Sequence, residues 1–577
     1  MEPLDAWGRS LAGLTASGVN SSGEQLLQAA KLFHLWLPGD SGRNALGRGL
    51  FDSIQKLGPA ELDLSGSVGD LGPPFQELAA THFECIQVTT IAYSHPHASQ
   101  RDAARGSYIA AYTMAAGMLK DFVSSEYIQD FGQAEIDQLG GIIALLHVFS
   151  VNARRLAMQA DQESREKQGF VDPQKSSMQN VVTQLRAIFS KLMGGERAAS
   201  GSSGGDDDGG AAVAVVSERG VGAAASILMI VNQLLKAYAF ENDWAKGPDP
   251  LHDWARGQRV VKRKAEGSAA GNAYQKMGRT DFWFGKPNKN CMPPGWVVQD
   301  SSSKIYLQQY ENTQTAERSL ALPIDRCAWF TRAQVVSYLF LLGKRVLIFD
   351  DANFGIPRYE EAHELLKRAF DICHRGAVKN KRTILAYLIL TSMLCGFLPS
   401  QSLLEKYNLP PFYTALVAAV RDGNIWLFEE TLANPQVKDF LLRKGVWMVT
   451  ACLRIVVQRG FFNHMHRLLN YPQALKLEVV AEVLAELQPD TRASGHAAKT
   501  LHDLHDSVEL MALRLLHAGY VKGFVRSADG DKPGHRAGEK LLVILKQKNA
   551  DNSAMRNVHF PVERLRRPPL PLQQNIQ

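Results

Sequence analysis

His502, Asp503, His505 and Asp506 place two imidazoles three residues apart with a carboxylate beside each. On a helix that spacing brings both rings to one face, where they could chelate a metal ion for a metal-dependent enzyme. A metal centre needs further protein ligands, and no third one follows at a suitable spacing, so a polar helix start is the simpler reading. His464 and His466 stand two apart in HMHRL and point in different directions on a helix. The Gly/Asp run Gly204 to Gly210 lacks the GK[ST] ending of a phosphate loop. No nucleophile is accompanied by a base, so the residues predict a protein that acts by binding, with no catalytic residue, metal or cofactor. Two groups of cations carry the remaining chemistry. Lys379, Lys381 and Arg382 put three positive charges into four residues at a helix start, suited to the carboxylates of an acidic partner, the alternative being a solvated turn. Arg514, Lys522, Arg526, Lys540, Lys546 and Lys548 cluster near the chain end, where they predict sequence-independent, salt-sensitive contacts to nucleic-acid phosphates; the alternative is an assembly surface.

The elements that must position these cations belong to a chain of 577 residues, long enough for more than one core. Hydrophobic residues at 45% and charged residues at 21% are ordinary for a globular chain, which limits disorder to local stretches. A net charge of +6 permits nucleic-acid or acidic partners without demanding them. No continuous apolar run approaches the roughly 18–20 residues that span a bilayer, and MEPLDAWGRS lacks the pattern of a signal peptide. Cys85, Cys291, Cys327, Cys373, Cys395 and Cys452 form no CxxC pair, which predicts reduced thiols in the cytosol or nucleus, mostly buried as small hydrophobes.

Periodicity predicts an all-helical body. Apolar residues recur three and four apart in GEQLLQAAKLFHLWL, Phe75 to Tyr93, Arg105 to Tyr127 and Ala134 to Met158, giving a helical region over residues 1–193. Residues 194–222 include GGERAASGSSGGDDDGG, whose composition predicts a disordered loop. A helical segment covers 223–245, and an irregular, Pro-rich insertion with Arg259, Lys262, Arg263, Lys264, Phe282, Trp283, Phe284 and Trp296 covers 246–330. Its aromatics either pin it to the core or stack on bases. Over 331–470 short helices follow at tight turns: Gln334 to Phe349, Tyr359 to Cys373, Lys381 to Leu394, Gln401 to Tyr407, Pro411 to Arg421, Ile425 to Ala433, Val437 to Leu442 and Val446 to Gln458. That cadence predicts a helical-repeat solenoid. From 471 to 550, helices Leu475 to Leu487 and Ser507 to Ala518 precede strand-like Tyr520 to Arg526 and Lys540 to Lys546, the order of a winged helix with a small β-hairpin. Residues 551–577 form a flexible, basic, Pro-rich tail.

The stretch SYLFLLGKRVLIFDDANFGIPRYEEAHELLKRAFDICHR, then KNKRTILAYLI, LPSQSLLEKYNLPPFYTALVAAVRDGNIWLFEETL and LLRKGVWMVTACLRIVVQRGFFNHMHRLL, resembles PCI proteins of the Thp/Csn-twelve type. The resemblance rests on Cys373 and His374 at a helix end, Lys379 to Arg382 at a turn, Arg421 to Asn424 at another, and LHAGYVKGFV with KLLVILKQKNA at the chain end; VNQLLKAY resembles an upstream family helix. It implies a TPR-like solenoid capped by a winged helix, in a nuclear transcription-and-export complex for mRNA, at nuclear pores. The implied partners are a larger GANP/Sac-like PCI scaffold, a small acidic Sem/DSS-like protein, and RNA or DNA bound by the assembly, with no membrane and no small-molecule substrate. The expected location is the nucleus, including the nuclear pore, and also the cytoplasm; a signalosome- or splicing-associated subunit is the alternative within the same family.

Overall fold

A computed structural model of the chain describes residues 23–37, 75–94, 107–125, 136–169, 176–200, 228–240, 331–348, 359–470, 472–487, 501–527 and 539–544, with short pieces at 10–11, 48–49, 51–52 and 128 and five short strands between 260 and 319. The chain divides into two compact units, the first comprising Met1–Gln299, Tyr310–Glu317 and Leu322–Tyr338, the second Asp300–Gln309, Arg318–Ala321 and Leu339–Gln577.

In the first unit the helices are α1 (Gly23–Leu32), α2 (Phe75–Ser94), α3 (Tyr108–Ser124), α4 (Ile136–Gln168), α5 (Ser177–Ser200) and α6 (Leu228–Phe240). Phe33, Phe75, Phe122 and Phe149 fill its centre, with Phe149 ring centroids 5.3 Å from Phe33 and 5.2 Å from Phe122. Buried polar groups of α4 hold one end each of α1, α3 and α5. Glu163 accepts from Ser107 Oγ at 3.1 Å and from Tyr108 N at 2.7 Å at the start of α3, and pairs with Lys167 Nζ at 2.6 Å. Asp161 accepts from Ser176 Oγ and Ser177 N, both at 2.7 Å, where α5 begins. Asn152 Nδ2 donates to Phe33 O at 2.9 Å, just past α1. Helix starts leave N–H groups without intrahelical partners, and carboxylates satisfy them with favourable dipole alignment.

Gly141–Gln168 of α4 is long and apolar enough to cross a membrane by length and composition, which no unbroken apolar run had suggested; 61% of its most apolar window is buried inside the protein, as in a core helix. In the insertion, antiparallel β1 (Val260–Lys262) and β2 (Tyr274–Lys276) pair with Val261 opposite Gln275, and β3 (Trp296–Gln299), β4 (Gln309–Asn312) and β5 (Arg318–Ser319) follow.

The second unit stacks helices on helices. It takes in α7 (Arg332–Ile348) from Leu339 onward, then α8 (Tyr359–Ile372), α9 (Val378–Leu394), α10 (Gln401–Lys406), α11 (Phe412–Asp422), α12 (Ile425–Ala433), α13 (Pro435–Lys444) and α14 (Trp447–Leu468). The turns are specified locally. Gly423 ends α11 at φ 64°, and Asn424 Oδ1 then accepts from Leu427 N at 3.0 Å to start α12. Asn434 caps α13 with Pro435 as its first residue, and Gly445 ends it at φ 71°. Tyr413, fully buried, donates its hydroxyl to Ala386 O at 2.9 Å and so locks α11 to α9.

The cap grows from the same core. Strand β6 (Ala474–Lys476), helices α15 (Leu477–Glu486) and α16 (Leu501–His517), and strands β7 (Gly523–Ser527) and β8 (Lys540–Ile544) follow α14. The antiparallel sheet has the order β6-β8-β7, with Leu475 opposite Leu542 and Val525 also opposite Leu542. One continuous buried cluster runs from Leu347 and Leu366 through Leu416, Phe428 and Leu453 to Val480, Leu515 and Ile544. Trp426 of α12 donates Nε1–H to Leu484 O of α15 at 3.1 Å. The expected helical stack with a winged-helix end is therefore present. Strand β6 is an addition, since Leu475 to Leu487 reads in sequence as one helix; its pattern of one buried residue between two half-buried ones marks the strand.

Candidate nucleic-acid and partner-binding surfaces

Three of the winged-helix cations reach solvent from adjoining elements. Arg514 is exposed on the last turn of α16, Lys522 is exposed just before β7, and Arg526 is exposed on β7. Along β7 Val525 packs on the core while Phe524 and Arg526 alternate to the opposite face, and Phe524 is 47% exposed. An aromatic ring beside a guanidinium on an open sheet face is suited to bases and phosphates. Lys540 departs from the expectation of a phosphate contact, because its Nζ pairs with Glu509 of α16 and ties the sheet to that helix. Lys546 and Lys548 lie outside the described residues.

At the start of α9 the three cations separate. Lys379 and Arg382 are exposed, but Lys381 is only 7% exposed, with Nζ donating to Phe370 O at 2.8 Å and lying 4.1 Å from the Phe370 ring centroid. Helical geometry explains the split: consecutive residues point about 100° apart, so one of three neighbours turns inward toward α8. Lys381 is thus an internal tie, and the exposed pair is what a partner could meet.

A second basic surface was missed in sequence. Lys438 Nζ lies 5.6 Å from the Trp447 ring, Lys444 Nζ 5.8 Å from Phe440, and Lys344 Nζ 5.6 Å from Tyr387. Burial, and next the charge of Lys444, holds the Lys344 ammonium below the usual lysine range. Beside them Leu442 and Met448 stand 53% and 72% exposed on α13 and α14. Cations flanking exposed apolar side chains suit a segment that is both acidic and hydrophobic. The available signal was LLRKGVWM, where an apolar pair and a basic pair meet at a helix end.

Among the described residues no three His, Cys, Asp or Glu side chains are grouped to hold a metal, and the side chain of His502 lies outside them. His464 Nδ1 lies 3.0 Å from Asp422 O and His466 Nε2 3.1 Å from Pro472 O, separate backbone ties. Cys85 and Cys395 are buried thiols pushed up to about 12, first by burial, which removes nucleophilic thiolate.

No family model matches the chain. It is 30% identical over 197 residues to PCI domain-containing protein 2 of Xenopus laevis, covering 34% of this chain and 44% of that protein. The homolog of that protein in Dictyostelium discoideum is 31% identical over 193 residues, 33% of this chain and 40% of its own. COP9 signalosome complex subunit 12 of Eremothecium gossypii is 28% identical over 209 residues, 35% of this chain and 48% of its own. The chain therefore spans less than half the length of these curated relatives.

Proposed function

Because this chain is a PCI-domain protein of the kind named in those relatives, we propose that it is a non-enzymatic scaffold subunit of a nuclear, transcription-coupled mRNA export complex. The observation that carries the reading is the single core joining the helical stack to its winged-helix end, which makes a rigid platform with exposed Arg514, Lys522 and Arg526 at its tip. A larger GANP/Sac-like PCI scaffold would dock alongside, RNA or DNA would lie on the winged-helix cations of the assembly, and a small acidic Sem/DSS-like protein would follow the surface of Lys438, Lys444, Leu442 and Met448 or the exposed pair Lys379 and Arg382. Work takes place in the nucleus, including the nuclear pore. The same-family alternative, a signalosome subunit, draws on the name of the Eremothecium relative. Affinity capture of the full chain from nuclear extract, read by mass spectrometry, decides between them. Recovery of an export scaffold with a small acidic protein supports the proposal, and recovery of signalosome subunits in their place refutes it.

A further inference from the structure

Helix α16 turns two different faces to its surroundings. Leu504, Val508, Ala512 and Leu515 are buried, where the helix packs on α14 and α15. On the opposite side Asp506, Leu510, Leu513 and His517 fall within roughly a 60° arc, at about 100° per residue, and all four are exposed. Leu510 and Leu513 are 48% and 45% exposed at the middle of that stripe, with Asp503 and Asp506 toward one end and Arg514 and His517 toward the other. The outer stripe of a helix on a protein surface is ordinarily polar throughout. Here its spacing of three and four residues, from Asp503 through Asp506, Leu510 and Leu513 to His517, is that of the seam of a coiled coil.

The order of charges along the stripe has a two-fold character. Leu510 and Leu513 are equidistant from the point between Met511 and Ala512, and so are Glu509 and Arg514, and Asp506 and His517. Two copies of α16 laid antiparallel across that point therefore set Leu510 on Leu513 of the other copy, Asp506 beside its His517 and Glu509 beside its Arg514. A parallel pair would set Asp506 on Asp506 and Arg514 on Arg514, and like charges opposed along a seam reject that arrangement. Glu509 already holds Lys540 of β8, and a carboxylate accepts from two cations at once. From Asp506 to His517 the stripe extends about 16 Å, enough to set both leucine contacts and both charged ends around one axis.

We propose that the outer face of α16 is a self-association surface, on which a second copy of this chain seats its own α16 antiparallel. Self-complementarity sets the occupant: a two-fold contact uses the same patch on both partners, and this patch supplies its own apolar centre and its own opposite charges. With two leucines from each copy the contact is small, the class of a weak, reversible dimer. Lys522 and Arg526 lie off the stripe, on β7 and the turn before it. The inference concerns the chain by itself, outside the assembly proposed above, so the dimer and the export reading fail separately.

The test is sedimentation velocity of the purified full chain over a concentration series reaching about 100 μM, with circular dichroism as the check on folding. The parent chain is expected to pass from monomer to dimer as concentration rises, and Leu513→Glu, at an exposed site, to weaken the dimer about 10-fold or more with an unchanged spectrum. His517→Glu sets like charges against Asp506 at both ends of the pair, and Asp506→Lys sets a cation against His517, so each variant alone is expected to associate less than the parent. An equimolar mixture of these two variants keeps one native contact and gains one Lys–Glu contact, and is expected to dimerise as the parent does. A parent chain that stays monomeric throughout, a dimer that Leu513→Glu leaves intact, or a mixture no more associated than its components overturns the inference.

Discussion

Gly423 ends α11 and Gly445 ends α13 with the same backbone twist, so replacing each by alanine separates twist from crowding. Their φ angles are 64° and 71°, a conformation that costs an L-residue about 1 kcal/mol or somewhat more in either place. A Cβ at Gly445 would meet only Ile348 Cδ1, at 3.4 Å, an ordinary contact. At Gly423 it would sit 2.4 Å from Phe461 N and 2.6 Å from Gly460 C, both backbone atoms of α14. No rotamer change can relieve that overlap, so α11 and α14 must part by roughly 1 Å, and overpacking of this sort costs about 1–3 kcal/mol. Gly445→Ala should therefore lose about 1 kcal/mol and Gly423→Ala about 2–4 kcal/mol. Urea titrations followed by far-ultraviolet circular dichroism, fitted with the slope of the parent protein, give both numbers. Equal losses, or the larger loss at Gly445, would refute the claim that close approach of two helices sets the turn.

Reversal of Arg514, Lys522 and Arg526 together to Glu should weaken RNA binding by the assembled complex and flatten its salt dependence by about 2 units of log–log slope, measured by fluorescence anisotropy across a salt series; an unchanged slope rejects the patch. Lys381→Met keeps the stem and removes the ammonium over Phe370, so stability should fall by about 1–2 kcal/mol in chemical denaturation while capture of the acidic partner stays at the parent level. Glu163→Ala strips the acceptor from the start of α3 and from Lys167, with an expected loss of about 2–4 kcal/mol and faster amide exchange in the first turn of α3. His82 is pulled down to about 3, by burial first and by His34 next. Its imidazole stays neutral when folded but takes up a proton when unfolded below about 6.5, so its contribution is complete above that pH and is lost progressively as pH falls toward the folded value. His82→Phe should therefore reduce the stability difference between pH 7 and pH 5 by about 2 kcal/mol, and a difference equal to the parent's would reject the assignment.

Repeat helices were legible because their boundaries are written in local chemistry. Gly423 with Asn424, and Asn434 with Pro435, stop and start helices whatever surrounds them. Tertiary partners were less legible. Lys381 sits among cations that look solvated in sequence, and only the carbonyl of Phe370 on another helix turns it inward. Lys540 likewise finds its carboxylate 31 residues away. Strand β6 exists because Leu475 can pair across to Leu542, a register that the local period of three residues is too short to announce. Arg154 likewise meets Gln233, 79 residues away, only once the helices of the first unit are packed.

The carboxylate of Glu163 that completes the start of α3 lies 56 residues downstream of Ser107. During synthesis α3 leaves the ribosome well before that acceptor, so its first turn has only the local Ser107 cap on Ile109 N until α4 follows it out. Asp161 has the opposite timing, waiting for Ser176 only 15 residues later. A single stretch of α4 thus finishes one helix behind it and primes another ahead, and a nascent chain halted before residue 161 would hold neither in place.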